Sequence, residues 1–382
     1  MSALSAKRLV RLRALLERHV ETGLAPGLVV VLARHGQVHV EATGHLAFDG
    51  AGSAVPMAGD TICRIASVTK PIAAACAMTL VEDCTLRLDD PVDALLPELA
   101  EMTVLADPAG SLDDTVPAIR PITLRDLLAF TLGTGMVLAE APIADELEAL
   151  GEPPPDEWIR RLGELPLVYQ PGSRWMYETG ADVLGVLISR ATGLSFGEAL
   201  RERVCEPLGM KDTAFSVPAE NLDRFATAYD RDKPLVEDAP DGRWSRPPVF
   251  EGGGGGLVST ADDLLAFAGA LRAGGSGLLS RPSVTLMTSD QLTPAQKAVS
   301  GFWPGYFNDV SWAYGMNVRT RRTALGPSVG TYGTPGLYGT AWYHDPAEDL
   351  TTIVMMQKAH AGDQRLPLWS DLWTTIYQAV DD

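Results

Sequence analysis

Cysteine, clustered positive charge and long apolar runs are all scarce in this sequence. Four cysteines, Cys63, Cys76, Cys84 and Cys205, occur in 382 residues. Their spacing fits neither a disulfide framework nor a zinc-ligand pattern, so they read as small buried hydrophobes of a reducing compartment. Basic residues number 31 against 49 acidic ones, a formal net charge of −18. Apart from the first 18 residues and Arg319, Arg321 and Arg322, the basic residues are scattered. A surface that tracks phosphates needs clustered Lys and Arg, so the sequence argues against a nucleic-acid partner. No apolar run of about 18 residues is present, which argues against a membrane span. The N-terminal segment carries charges throughout, unlike a secretory signal. The expectation is a cytoplasmic protein.

What remains is an ordinary globular composition, 46% apolar and 21% charged, in a chain long enough to bury a sizeable core. Residues 4–22 read as an amphipathic helix. Segments 28–33 and 38–42 flank a short glycine-containing turn and read as a β-hairpin. Residues 67–83 are apolar on nearly every face beyond Pro71, the mark of a buried helix. Short helical patterns broken by proline fill 86–150. Ser259 or Thr260 caps the helix that follows it. Segments 312–320, 338–344 and 351–357 are β-rich, and 365–380 look like a closing helix. Strands at both ends with helices between predict an α/β fold, with one sheet completed by both ends of the chain.

The sharpest chemical signal is Ser67-Val68-Thr69-Lys70, an S-x-x-K motif. Proline is tolerated in the first turn of a helix, so Pro71 places the helix start close to Ser67. Positions three apart share a helix face, which brings the Lys70 amine to the Ser67 hydroxyl. The positive end of the helix dipole favours an oxyanion beside Ser67. Desolvation by the buried helix is expected to lower the Lys70 pKa, and a neutral lysine can activate a serine. Two G-x-S-x-G segments compete for the nucleophile, around Ser195 and Ser328. Neither has the strand–Ser–helix context of a nucleophile elbow. Gly193 reads instead as a helix C-cap and Ser195 as the next N-cap. The six histidines are given no catalytic or metal role. Five glycines, 252–256, precede a helix without the Lys-Ser/Thr of a P-loop, and read as tight packing beside a pocket.

Five segments in order, SVTK, ITLRDLLAFTLG, PGSRWMY, GGGGLVSTADDL and GLYGTAWYHDP, resemble the serine β-lactamase-like hydrolases, in particular class C β-lactamases and family VIII carboxylesterases. The resemblance spans about residues 10–380. It implies a β-lactamase-like α/β fold, an antiparallel sheet flanked by helices plus a mainly helical lobe. Residues 1–85 and 300–382 would form the sandwich and 86–299 the helical lobe, with the site between them. The family's S-x-x-K element falls on Ser67 and Lys70. Its Tyr-x-Asn element reads Tyr177-Glu178-Thr179, and its Lys-Thr-Gly element reads Thr334-Pro335-Gly336. The tyrosine is kept, while the amide and the carboxylate-binding lysine are absent, which favours an ester over a β-lactam.

The implied catalytic set is Ser67, Lys70 and Tyr177, with an oxyanion hole from the backbone N–H groups of Ser67 and Leu337. Thr179, Trp312, Thr334, Gly336 and Tyr338 are expected at the substrate. Trp175, Tyr314, Tyr332 and Trp342 are further candidates for an apolar wall. No cofactor or metal is implied. The expected partner is a small ester or acyl substrate, a short-chain carboxylic ester cleaved through an acyl-enzyme on Ser67. Acyltransferase, β-lactamase and D-amino-acid amidase or peptidase chemistry are alternatives on the same scaffold. A catalytically silent binding protein is the alternative of another class, opposed by retention of Ser67, Lys70 and Tyr177.

Overall fold

The computed structural model describes residues 4–136, 141–230, 233–235, 242–359, 361–363 and 366–381. A first helix, α1 (Ala6–Glu21), leads into the hairpin β1 (Gly27–Arg34) and β2 (Gln37–Gly44). The turn is two residues, His35 and Gly36, both at positive φ, as tight hairpins require. The chain then runs through α2 (Thr69–Glu82), α3 (Leu124–Ala129), α4 (Thr179–Thr192) and α5 (Ala261–Arg272). It returns as β3 (Val310–Trp312), β4 (Asn317–Arg319), β5 (Tyr332–Pro335), β6 (Ala341–Asp345) and β7 (Leu350–Met355), and ends in α6 (Pro367–Tyr377). The seven strands form one sheet in the order β2-β1-β7-β6-β5-β4-β3, with every neighbouring pair antiparallel.

The apolar run of β1 follows from this topology. Val29 and Val31 face the large core shared with α2, while Leu28, Val30 and Leu32 face the layer of α1 and α6. A strand covered on both faces needs no polar alternation. β2 is an edge strand, and its outward positions are exposed. On the other side of the sheet, α2 is buried along almost its whole length, from Thr69 to Met78.

Several local expectations hold. Gly193 ends α4 in the left-handed region, and Ser195 caps the next short helix in a reciprocal box with Glu198. Thr260, rather than Ser259, caps α5 by accepting from the Asp263 N–H. The β-rich segment 312–320 is two strands, because Gly315 at φ +71 turns the chain between β3 and β4. Strand β5 lies in a Gly/Pro-rich stretch with no strand pattern of its own. Its pairing with β6 makes it a strand, Thr334 opposite Trp342. Cys63, Cys76 and Cys205 are buried as expected, but Cys84 is exposed at the end of α2. His35 and His39 stand four apart, a spacing that pairs ligands on a helix. Here they sit on a hairpin and turn to different carboxylates, Asp349 at 2.9 Å and Glu41 at 2.8 Å. No single helix among the described residues is long and apolar enough to cross a membrane.

Candidate active site

Ser67 lies in a short 3-10 turn, Ala66–Val68, that runs directly into α2. Ala66, just before it, is held at φ +44, a conformation that costs a residue with a side chain and persists where the surroundings impose it. Those surroundings are specific. The preceding Cys63–Arg64 segment pairs antiparallel with Val258–Ser259. The Leu257 N–H donates to Thr69 Oγ1 at 3.2 Å. Across the cleft, β5 is followed directly by Gly336, where a Cβ would stand 2.4 Å from the Ile65 carbonyl oxygen. Glycine at this position therefore permits the sheet to approach the nucleophile's turn.

Lys70 projects from the first turn of α2, and its Nζ donates to Ser67 Oγ at 3.0 Å. Tyr177 enters from the segment before α4, and its hydroxyl donates to the same Oγ at 2.8 Å. The ammonium also lies 4.4 Å from the centroid of the Tyr177 ring. Ser67 is thus the meeting point of two proton-carrying groups from separate segments.

Sequence reasoning missed the acidic side of this cluster. The Glu178 carboxylate meets Lys70 Nζ at 2.8 Å. Glu178 reaches it by adopting φ +90, ψ −76, a region that costs a non-glycine residue about 1–3 kcal/mol. The Gly254 carbonyl accepts a further hydrogen bond from Lys70, and a Cβ on Gly254 would strike Glu178 Oε1 at 2.2 Å. The glycine run, read from the sequence as tight packing beside a pocket, lies behind the lysine and supplies one of its partners.

This arrangement reverses the expected charge state of Lys70. Burial pulls the ammonium toward neutrality, but the charge of Glu178 and the contacts to Glu178 and Tyr177 outweigh it. Lys70 is held above the ordinary lysine range and is cationic. Burial raises the Tyr177 phenol, and the adjacent Lys70 charge offsets this only in part. Asp182, one turn into α4, accepts from the Gly254 N–H at 2.9 Å. Burial and the nearby Glu178 push its carboxyl up to about 7.

The cleft over Ser67 has a volume of about 310 Å³. Tyr177, Trp312, Thr334, Gly336 and Leu337 line it, as expected, together with Phe302, Tyr306, Asn317 and Asp363, which were not. The signal for Phe302 and Tyr306 was the aromatic density of residues 302–307, which contain Phe302, Trp303, Tyr306 and Phe307, whereas Asn317 and Asp363 had none. Thr179 and Tyr338 are outside the lining. Tyr338 offers its carbonyl to the Lys358 N–H. Trp175 packs behind the wall, 5.7 Å from Tyr177 and 5.3 Å from Trp312. Tyr314, Tyr332 and Trp342 belong to the main core. Among the described residues no lysine or arginine lines the cleft. Arg321 and Arg322 are exposed. Ser195 is occupied in its helix cap, and the Ser328 N–H is tied to Asp345 at 2.8 Å. Neither serine lines the cleft. His344 is buried against Thr351 at 3.0 Å, and burial lowers its pKa to about 4.

The family profile described as Beta-lactamase matches residues 12–371. The chain belongs to the beta-lactamase family. Two relatives are similar to it over most of their length. Protein Rv1367c of Mycobacterium tuberculosis is 40% identical over 352 residues, covering 88% of this chain and 87% of the relative. Esterase EstB of Burkholderia gladioli is 32% identical over 386 residues, covering 94% and 92%. Among solved beta-lactamase-like structures, EstCE1, a hydrolase with promiscuous acyltransferase activity, superposes with a TM-score of 0.78 at 26% identity, covering 97% of this chain and 99% of that one.

Proposed function

We propose that this protein is a serine carboxylesterase that cleaves neutral esters through an acyl-enzyme on Ser67. The observation that carries the proposal is the convergence of Lys70 Nζ and Tyr177 Oη on Ser67 Oγ, at 3.0 and 2.8 Å. Ser67 Oγ attacks the ester carbonyl while its proton passes into the Lys70–Tyr177 pair. The N–H groups of Ser67 and Leu337 receive the oxyanion, each such donor being worth about 3–4 kcal/mol in the transition state. The C–O bond to the alcohol then breaks, and Tyr177 returns a proton to the departing oxygen. Water repeats the sequence on the acyl-enzyme and releases the carboxylic acid. With Lys70 and Tyr177 both protonated at rest, one proton must leave the pair before it can act as a base. The pair titrates as a unit.

That no lysine or arginine is among the described residues lining the cleft favours an ester over a β-lactam, whose carboxylate would lack a charged partner there. The esterase named among the relatives supports the same reading. Acyl transfer to an alcohol is the second reading, favoured by the promiscuous acyltransferase activity in the name of the similar EstCE1. The unpaired buried thiols suit residence in the reducing cytoplasm.

The test is a fluorophosphonate label followed by peptide mass spectrometry, beside turnover of p-nitrophenyl esters of graded acyl length. The adduct is expected on Ser67, activity is expected to vanish in Ser67→Ala, and acetate or butyrate should be the best acyl groups. An adduct on Ser195 or Ser328 would overturn the assignment.

A further inference from the structure

Beside the catalytic cleft lies a second, larger space of about 550 Å³. It sits on the α6 side of the sheet, between β4, β6 and α6. Its walls include five aromatic side chains, Phe302, Trp303, Tyr306, Tyr343 and Trp373, beside Val310, Leu325 and Pro327. Pockets of about 300–1,000 Å³ with such walls hold drug-sized apolar groups. The space adjoins the cleft, because Phe302, Tyr306, Asn317, Pro335, Gly362 and Asp363 line both. Nothing in the attack of Ser67 on a small ester uses it.

We propose that this aromatic cavity holds the alcohol moiety of the ester, and that this alcohol is bulky, apolar and uncharged. The assignment to the alcohol side rests on the proposed esterase reading, in which Tyr177 protonates the leaving oxygen. Two residues of the cavity wall, Phe302 and Tyr306, belong to the aromatic cluster around Tyr177. The Phe302 ring packs edge-on to Tyr177 at 5.1 Å. Tyr306 stacks on Trp175 at 5.7 Å, and Trp175 is itself 5.7 Å from Tyr177. An alcohol whose oxygen meets Tyr177 Oη therefore extends past Phe302 and Tyr306 into the cavity. The preference for an uncharged group follows from Arg319. This cation lies on the wall, but its guanidinium is paired with Asp309 at 3.0 Å, and Asp309 also lines the space. The pair cancels the charge a carboxylate would seek, Asp363 on the shared wall would repel an anion further, and Asn317, whose Oδ1 accepts from the Tyr306 hydroxyl at 3.3 Å, presents its amide NH2 to a neutral hydroxyl or ether.

The test compares two acetates of secondary alcohols, isopropyl and menthyl, by kcat/KM. Wild-type protein is expected to favour menthyl acetate at least about ten-fold. Ser370 faces the cavity from an exposed position on α6, so Ser370→Trp fills the space without disturbing the core. That substitution should lower the menthyl-to-isopropyl ratio at least about ten-fold, chiefly through KM. An unchanged ratio overturns the proposal. So does a loss confined to p-nitrophenyl esters of bulky acids, which would place the acyl group there. Binding of free menthol to Ser67→Ala, followed by ligand-observed NMR, separates the two readings. Menthol bound and then lost in Ser370→Trp supports the cavity even if no ester is turned over, and the esterase reading alone then fails. No binding of menthol to Ser67→Ala overturns the cavity assignment.

Discussion

Glu178 alters how the Ser67 cluster works. A charged Lys70 beside a neutral Tyr177 is a poor base until one proton is lost, so activity is expected to rise with pH through the apparent pKa of the pair. Glu178 stabilises the charged form of Lys70 and keeps that limb high. Removing its charge in Glu178→Gln makes Lys70 more acidic and should move the limb to lower pH, by about 1–2 units given the usual effect of one close opposite charge. The pH profile of kcat/KM checks this, and a limb that stays in place removes Glu178 from the proton balance. Tyr177→Phe keeps the ring that packs against Phe302 and Trp312 and deletes the hydroxyl. It should cost about 10²–10⁴-fold in kcat with little change in thermal stability. Asp182 offers a separate reading of the acidic cluster. Its folded pKa, about 7, lies above its unfolded value near 4. Its contribution therefore favours the folded state more as pH falls from above 7 toward 5. Asp182→Asn should flatten that part of the dependence of Tm on pH.

The elements were legible where the cause is local. The hairpin turn, the cap at Ser195, the cap at Thr260 and the helix start at Ser67 each depend on residues within a few positions of one another. Strand β5 was not legible, because Gly333 and Pro335 carry no strand preference and the pairing partner β6 decides the conformation. The site divides in the same way. Ser67 and Lys70 share one helical turn and could be read. The charge of Lys70 could not, because it depends on a carboxylate more than a hundred residues away that arrives through a rare backbone conformation. Trp312 was expected at the substrate, whereas its neighbours Phe302 and Tyr306 come from an irregular segment with no periodicity to reveal its direction. One prediction belongs to this scale. The end of β5 touches the turn of Ser67 at Gly336. Gly336→Ala would push the Ile65 carbonyl from a 2.4 Å approach and displace the nucleophile. A shift of about 1 Å can cost 10²-fold in rate, so esterase activity should fall by about that factor while circular dichroism stays close to wild type.

For the molecule as a whole, none of the described residues that line the cleft is a lysine or arginine, and this bears on the proposed preference for a neutral ester. A charge-assisted hydrogen bond is worth about 1.5–3 kcal/mol, or roughly 10–100-fold in affinity. On the proposed reading a β-lactam forfeits that contact and a neutral ester does not. The value of kcat/KM for p-nitrophenyl butyrate should exceed that for nitrocefin on the same preparation, and the reverse order would move the assignment to a β-lactamase.

The pairing of β1 with β7, Val29 beside Met355, also has a consequence for the path of the chain. Next to it, the Ser5 N–H donates to the Ala379 carbonyl at 2.9 Å, and Arg8 reaches the Gln378 carbonyl. The segments around residues 5 and 379 are therefore direct neighbours, so a short link could join them. A circular permutant that joins residue 4 to residue 380 through a short linker and opens in the exposed loop at 109–110 should fold and keep its ester turnover, since exposed loop tips tolerate new ends. Loss of the sheet in that permutant would show that synthesis order, and not the finished contacts alone, is needed to bring β1 and β7 together.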